Sequence, residues 1–194
     1  SPEAQKIHDR SVRLYPTLDL SDGAYVITAV RRHPIGLVLP LALGTLLLAA
    51  VFTVVSSYAE IAESLQLAGN IASGSVIIIP ALLFAVLVAL GMFVSYYVYT
   101  RNKFFLTNES VIQEIQVTLF ARKEQTVSLS NIEDASFTQT NIIQQIFDYG
   151  DIRLSTEGDE TTYRFSYVAH PKNPIARLNH AAEAFKNGRP VDDN

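Results

Sequence analysis

Residues 34–59 read PIGLVLPLALGTLLLAAVFTVVSSYA, and this stretch contains no charged side chain. A second uncharged stretch, residues 64–100, reads SLQLAGNIASGSVIIIPALLFAVLVALGMFVSYYVYT and is separated from the first by only four residues. A helix needs about 20 apolar residues to cross the hydrocarbon core of a bilayer. Because both stretches exceed that length, the sequence predicts a membrane protein with two spans that are close together in the chain.

These stretches predict a transmembrane helical hairpin over residues 34–100, with spans at about residues 35–58 and 76–99. Residues 1–33 form an N-terminal cytoplasmic segment, and its first 22 residues are expected to be a mobile arm, although Leu14 and Leu18 have the spacing of a short surface helix. Residues 24–30 are rich in β-formers and follow a glycine. They are either a strand that pairs with the later domain or the lead-in to the first span.

The second span carries a stripe of small residues. Ala81, Ala85 and Ala89 occur at steps of four. Such a stripe lets two helices approach closely in lipid. We therefore predict that this stripe packs against the first span, because a short connector makes the two helices antiparallel neighbours.

The charges beside the spans predict their orientation. Arg31 and Arg32 precede the first span, Arg101 and Lys103 follow the second, and the connector carries Glu but no Lys or Arg. Because positive flanks stay in the cytoplasm, both termini are predicted to be cytoplasmic in a multi-pass protein of the inner membrane. The four cations either set this topology alone or also bind anionic lipid at the inner leaflet.

Composition excludes several classes of function. The net charge is −4, and residues 102–194 carry 9 Lys and Arg against 13 Asp and Glu. Nucleic acid rewards clustered positive charge, so this acidic part predicts no nucleic-acid partner. The chain has no cysteine, which excludes disulfides, thiolate nucleophiles and Cys-based zinc sites.

After residue 101 short alternating runs replace the apolar stretches. We predict strands over residues 104–107, 111–117, 124–129, 133–138, 151–155 and 162–167. In the last strand Tyr163, Phe165 and Tyr167 alternate with polar residues, which is typical of a half-buried sheet.

Two helices accompany these strands. Residues 141–148 have helical spacing, with apolar Ile142, Ile143, Ile146 and Phe147, and residues 173–186 read as an amphipathic helix. Six antiparallel strands with a helix over one end form a partly open β-barrel, the pleckstrin-homology (PH)-like architecture. We predict this domain over residues 101–187, with a tail over 188–194.

Three segments in this order resemble bacterial PH-like membrane proteins of the YdbS type. They are NKFFLTN at residues 102–108, VSLSNIED at 127–134 and IFDYGDI at 146–152. The resemblance extends over about residues 25–185 and implies a membrane-tethered cytoplasmic PH-like domain that serves binding or assembly, with no established reaction. Phosphoinositide-binding PH domains use a basic loop between their first two strands, whereas here Asn108, Glu109 and Ser110 hold that place.

Gly150 belongs to the third of these segments. After a short helix that ends near Asp148, a glycine can take the left-handed conformation that closes the helix. We predict that Gly150 is this structural turn, and that Gly150→Val destabilises the domain by about 1 kcal/mol or more.

No catalytic set or cofactor site emerges. The four histidines lack metal-binding spacing, and neither a nucleophile elbow nor a phosphate-binding glycine loop is present. We therefore expect no enzyme, cofactor or metal. The leading hypothesis is a membrane-anchored module for protein docking or assembly, with a protein partner or a homo-oligomer besides membrane lipids. The alternatives are a lipid-binding or lipid-sensing protein and an accessory subunit of a transporter complex.

Overall fold

The structure is a computed structural model that describes residues 2–156 and 162–191. Its helices are α1 (Pro2–Leu14), α2 (Val38–Ser56), α3 (Tyr58–Ser64), α4 (Ser75–Arg101), α5 (Ile142–Ile146) and α6 (Lys172–Lys186). Its strands are β1 (Val26–Arg31), β2 (Lys103–Thr107), β3 (Ser110–Gln116), β4 (Arg122–Ser128), β5 (Ile132–Thr138), β6 (Tyr149–Thr156) and β7 (Thr162–Ala169). The predicted turn at residues 157–160 and the end of the predicted tail lie outside the described residues.

The chain forms two compact units. One, here the β unit, consists of Ser1–His33 and Thr100–Asn194. The other, here the helical unit, is Pro34–Tyr99. The two apolar helices therefore form a separate body that interrupts the β unit in sequence.

The β unit contains two antiparallel sheets. The first has the order β1-β2-β3-β4 and the second the order β5-β6-β7. A single bridge between Arg32 and Val168 joins β1 to β7, and α6 packs against β5 and the 3-10 turn Leu129–Asn131. Seven strands in two sheets with a C-terminal helix confirm the PH-like architecture.

The main core lies between the two sheets and α6. Each sheet contributes alternate side chains, as expected where one face of a strand is buried. The largest members include Phe104, Leu106, Ile152, Phe165 and Leu178.

The N-terminal segment covers the opposite face of the first sheet. Leu18 packs on Phe105 and Ile112 there, and the ring of Tyr15 meets that of Phe105 edge to face at 5.1 Å between centroids. Residues 2–14 are helical, so the expected mobile arm is corrected to a packed layer. Of the two readings of residues 24–30, the strand is observed, since β1 pairs with β2.

A β-bulge changes the alternation expected in the last strand. Tyr163 and Phe165 point inward as predicted, but Tyr167 is exposed and Val168 is buried in its place. The register with β6 shifts between Gly150 and Ile152, and Tyr167 has a left-handed φ of 59°. One extra residue on β7 therefore reverses the faces beyond it.

The short helix predicted near residues 141–148 is present as α5. Its start is fixed by a capping box, in which Asn141 and Gln144 each accept a hydrogen bond from the other's backbone N–H. The four apolar side chains of α5 and of the residue after it are not buried. Ile142, Ile143, Ile146 and Phe147 are all more than half exposed.

In the helical unit, Pro34–Ser56 and Ser75–Arg101 are long and apolar enough to cross a membrane, with mean hydropathies of 2.5 and 2.9. The first begins with a 3-10 turn, Pro34–Leu37, and α2 starts after it, so Pro40 is the third residue of α2. The N–H groups of a helix's first turn have no partner within the helix, so the missing N–H of Pro40 breaks no helical hydrogen bond. The predicted connector contains α3 and a 3-10 turn at Gly69–Ala72. Apolar side chains surround both long helices, which is typical of helices in lipid or inside a large core.

Candidate functional site

Both apolar helices enter the β unit at one place in its first sheet. The first begins at Pro34, directly after His33 and the end of β1, and the second ends at Arg101, two residues before β2. Arg31 and Lys103 are opposite partners in the β1–β2 ladder. The helical unit is thus inserted into a β-hairpin, and the chain leaves and rejoins the sheet at adjacent positions. We call this end of the β unit the junction end.

The predicted basic residues at the junction end lie on two different faces of the first sheet. Arg31 and Lys103 share one face because cross-strand partners point the same way, and Arg101 is exposed nearby in sequence. Arg32 belongs to the other face, where its guanidinium carbon lies 5.4 Å from the ring centroid of Phe165. Like charges directly opposite each other destabilise a sheet, but here Glu114, the partner of Lys103 on its other side, supplies a nearby anion within the sheet. Arg31 and Lys103 form a pair of cations next to the apolar helices, which we call the basic pair.

Three aromatic rings stack at the junction end. His33 stacks on Tyr149 with centroids 5.4 Å apart, and Tyr149 stacks on Tyr167 at 5.8 Å. The backbone N–H of His33 also donates to the carbonyl of Tyr167 at 2.5 Å. This stack ties the last residue before the first apolar helix to the strand that follows α5.

A hydrogen bond between a histidine and an aspartate adjoins this stack. Nδ1 of His170 lies 2.5 Å from Oδ2 of Asp148. The hydrogen bond from His170 is the main reason why the pKa of Asp148 lies below its usual value. Burial lowers the pKa of His33, and the charge of His170 lowers it further, while Asp148 raises it.

A buried carboxylate attaches the N-terminal segment to the first sheet. Oε1 of Glu114 lies 2.5 Å from Nη2 of Arg122 and accepts the Thr17 hydroxyl at 3.0 Å. Arg122 also donates to the carbonyl of Thr17 at 2.8 Å and to Glu124 at 3.0 Å. Glu114 is the ladder partner of Lys103, so this ion-pair cluster lies beside the basic pair. Sequence reasoning missed it, although a lone Glu within the apolar run of β3 was an available signal.

The opposite end of the β unit is acidic. A cavity of about 260 Å³ there is bounded mainly by the N-terminal segment, the β2–β3 turn and β4, and its lining includes Asp19, Ser21, Glu109, Ser110, Thr126 and Ser128. Among the residues that the structure describes, no Lys or Arg lines it. The carboxylates of Asp19 and Glu109 would repel a phosphate group, so this cavity does not suit a phosphorylated headgroup.

No metal-binding arrangement is formed by the described part of the chain. Within residues 2–156 and 162–191, no three His, Cys, Asp or Glu side chains come together as metal ligands. The features that remain are surfaces: a basic pair and an aromatic stack at the junction end, and exposed apolar side chains on α5 and the residue after it.

Comparison with known families agrees with the sheet topology. The family model described as the bacterial PH domain matches residues 25–186, from just before β1 to the last residue of α6. The chain belongs to the bacterial PH domain family. The match includes β1, so the PH domain begins before the helical unit and continues after it. No curated protein is similar enough to count as a match.

Family membership suggests the broad kind of function. PH domains are generally non-catalytic interaction modules that bind lipids or proteins. The resemblance to the family is thus confirmed, whereas its YdbS-type subgroup stays a prediction.

Gly150 of the PH domain has a role other than the predicted one. The left-handed residue after α5 is Asp148, with a φ of 48°, and Gly150 lies within β6 without a left-handed φ. A Cβ atom on Gly150 would come within 2.6 Å of the carbonyl oxygen of Thr138. The glycine is required for close approach of a neighbouring backbone, not for a turn.

The predicted alanine stripe is only partly placed between the helices. Ala81 and Ala85 line a groove beside Val51 of α2, whereas Ala89 is exposed. Steps of four drift around a helix of 3.6 residues per turn, so the third alanine leaves the face of the first two. Gly44 of α2 is the tighter point, because a Cβ there would overlap the side chain of Met92.

Proposed function

We propose that this chain is a membrane-anchored PH module that docks a protein partner at the cytoplasmic leaflet. The observation that carries the proposal is the insertion of two long apolar helices between the ladder partners Arg31 and Lys103. An insertion at one point of a sheet leaves the rest of the β unit intact as a binding module. Helices that are apolar on all sides need lipid or protein around them, and positive charge at both ends of the insertion is typical of cytoplasmic flanks.

An outer strand supports protein docking. β4 is the last strand of the first sheet, and most of its residues are exposed. A sheet edge carries unpaired backbone donors and acceptors, and an extended peptide can add to it as a further strand. The acidic cavity borders the same strand through Thr126 and Ser128, which favours a peptide with basic side chains.

The proposed orientation has a direct test. A reporter that is active only outside the cytoplasm, fused after Asn194, should stay silent. The same reporter inserted within the 3-10 turn Gly69–Ala72, between the apolar helices, should be active. Activity of the C-terminal fusion would reverse the topology.

The docking surface can be mapped with a photocrosslinking amino acid in cell membranes. We expect a crosslinked product from Thr126→p-benzoylphenylalanine on β4, and none from the matched replacement of His180, which is exposed on α6. A product of twice the chain mass would identify a second copy as the partner. If no product forms at Thr126 and the chain is a lone monomer in detergent, the docking proposal fails.

Lipid binding is the second candidate, because of the Arg31–Lys103 pair. Cations near an anionic surface each contribute about 1 kcal/mol. Native mass spectrometry should then show anionic lipid adducts that are lost in Arg31→Gln with Lys103→Gln. Adducts that persist in this variant would exclude the pair as the binding site.

A further inference from the structure

The exposed apolar side chains of the β unit are concentrated in two connections. Among its described residues, seven large apolar side chains are more than half exposed. Six of them belong to the β3–β4 turn or to α5 with the residue after it, and the six are Val117, Phe120, Ile142, Ile143, Ile146 and Phe147. We call these six side chains the apolar rim. Phe120 is 96% exposed and Ile146 is 72% exposed, so neither is part of the domain's own core.

The register of the first sheet places the β3–β4 turn at the junction end. Lys103 at the start of β2 pairs with Glu114 near the end of β3. Gln116 ends β3 and pairs with Arg122, so the turn between them extends beyond the Arg31–Lys103 row. The side-chain amide of Asn102 donates to the carbonyl of Gln116 at 3.3 Å, which joins the turn to the residue that follows the second apolar helix.

The second sheet places α5 at the same end. α5 connects β5 to β6, and β6 begins with Tyr149, whose ring stacks on His33. His33 directly precedes Pro34, where the first apolar helix begins. Both parts of the apolar rim therefore adjoin, within the β unit, the points where the chain enters and leaves the apolar helices.

We propose that the apolar rim inserts into the interfacial layer of the bilayer that anchors the protein. This inference rests on the proposed membrane anchoring and adds a second, independent contact between the PH domain and lipid. The occupant is lipid because chain continuity brings a bilayer to this end, and because Arg31 and Lys103 adjoin the rim. Apolar side chains beside cations and tyrosines are the composition of an interfacial surface.

The shape of α5 fits this role. Its capping box holds the short helix in place, so its apolar side chains are presented without support from the core. Gln145, on the opposite side of the helix, is polar and exposed. An amphipathic helix with its apolar face outward lies in the plane of an interface and does not cross it.

Single-cysteine labelling of the full chain tests the rim directly, since the protein has no native cysteine. An environment-sensitive fluorophore is attached at Phe120→Cys or Ile146→Cys in nanodiscs of phosphatidylcholine and phosphatidylglycerol. The matched controls are Gln145→Cys on the same helix and Ser130→Cys in the 3-10 turn Leu129–Asn131 at the acidic end. We expect blue-shifted emission and severalfold stronger quenching by shallow spin-labelled lipid at residues 120 and 146 than at 145 and 130. Aqueous iodide should show the reverse order.

The outcomes separate this inference from the proposed anchoring. A fourth label at Phe84→Cys in α4 reports whether the apolar helices are in lipid. If residue 84 is quenched by lipid while residues 120 and 146 behave like residue 130, the anchoring stands and the rim inference is rejected. If residue 84 is not quenched either, the anchoring itself fails. If shielding at residues 120 and 146 disappears at one chain per nanodisc, a second copy covers the rim, and the lipid assignment is overturned.

Discussion

Replacement of Gly150 tests the close approach of two backbone segments within the PH domain. A Cβ at this position would lie 2.6 Å from the carbonyl oxygen of Thr138 and 3.0 Å from Cγ of Gln139. Since a backbone atom cannot move aside cheaply, we expect Gly150→Val to destabilise the β unit by about 1–3 kcal/mol. Hydrogen exchange of the β6 and β7 amides in detergent measures this change. The control is Gly74→Ala, where a Cβ meets no atom within 4 Å; equal exchange in the two variants would contradict the close approach.

His33 gives the β unit a dependence on pH. Its pKa is lowered by burial and by His170, so the folded state binds this proton more weakly than the unfolded chain. Stability contributed by neutral His33 is therefore present above the ordinary histidine value of about 6.5 and is lost as pH falls below it. We expect His33→Phe, which keeps a ring on Tyr149, to flatten the loss of stability between about pH 7 and 5.

Histidine NMR titration checks the cause of this shift. His33 should titrate below the ordinary histidine range, and His170→Gln should move its midpoint upward by removing a repulsive charge. An unchanged midpoint in that variant would reject the electrostatic part of the explanation.

The individual residues of the site could be predicted from sequence only where the chain itself keeps them together. Arg31 and Lys103 were expected at one interface because both flank the apolar stretches, and the β1–β2 ladder brings them opposite each other. The link between Glu114 and Thr17 depends on a contact across 97 residues, which no local pattern encodes. The separation of Arg32 from Arg31 follows from strand alternation, but only once residues 26–31 are known to be a strand.

At the scale of elements, the N-terminal segment covers one face of the first sheet. Leu18 is 8% exposed on Phe105 and Ile112, whereas Leu14 is 60% exposed. We expect Leu18→Ala to destabilise the β unit by about 2–3 kcal/mol and Leu14→Ala by less than about 0.5 kcal/mol. Denaturant unfolding in mild detergent, followed by the near-UV circular dichroism of the tyrosines, compares the two. Similar losses would mean that the segment does not pack on the sheet as described.

The positions of strands and helices could be predicted because the spacing of apolar residues is a local property of the sequence. Which element covers which face of a sheet could not be predicted in this way. The alternating runs predicted the strands to within a few residues, and α5 and α6 were expected where they occur. The covering layer was missed, although FFL at residues 104–106 is a continuous apolar run, which indicates a strand buried on both faces. The apolar residues of α5 predicted a helix correctly, yet a helical period does not say whether the apolar face meets a core, a membrane or a partner.

At the scale of the whole molecule, the insertion point explains how one chain combines two long apolar helices with a PH domain. Neighbouring strands of an antiparallel pair need only a short turn, and here the helical unit replaces that turn between β1 and β2. Because the ladder continues to Arg31 and Lys103, the sheet is complete up to the insertion. The β unit therefore has, within itself, the pairing that a soluble PH domain requires.

We expect the β unit to fold without its helices when residues 34–100 are replaced by Asn-Gly, a sequence that favours a two-residue hairpin turn. This shortened chain should be soluble and monomeric in plain buffer when it also carries Phe120→Ser and Ile146→Ser. With the rim intact, it should instead bind liposomes, because its exposed apolar area needs cover. Size-exclusion chromatography, amide NMR dispersion and liposome flotation distinguish the two. If both shortened chains are unfolded, the β unit needs the apolar helices in order to fold. If the full chain itself dissolves without detergent or lipid, membrane anchoring is rejected.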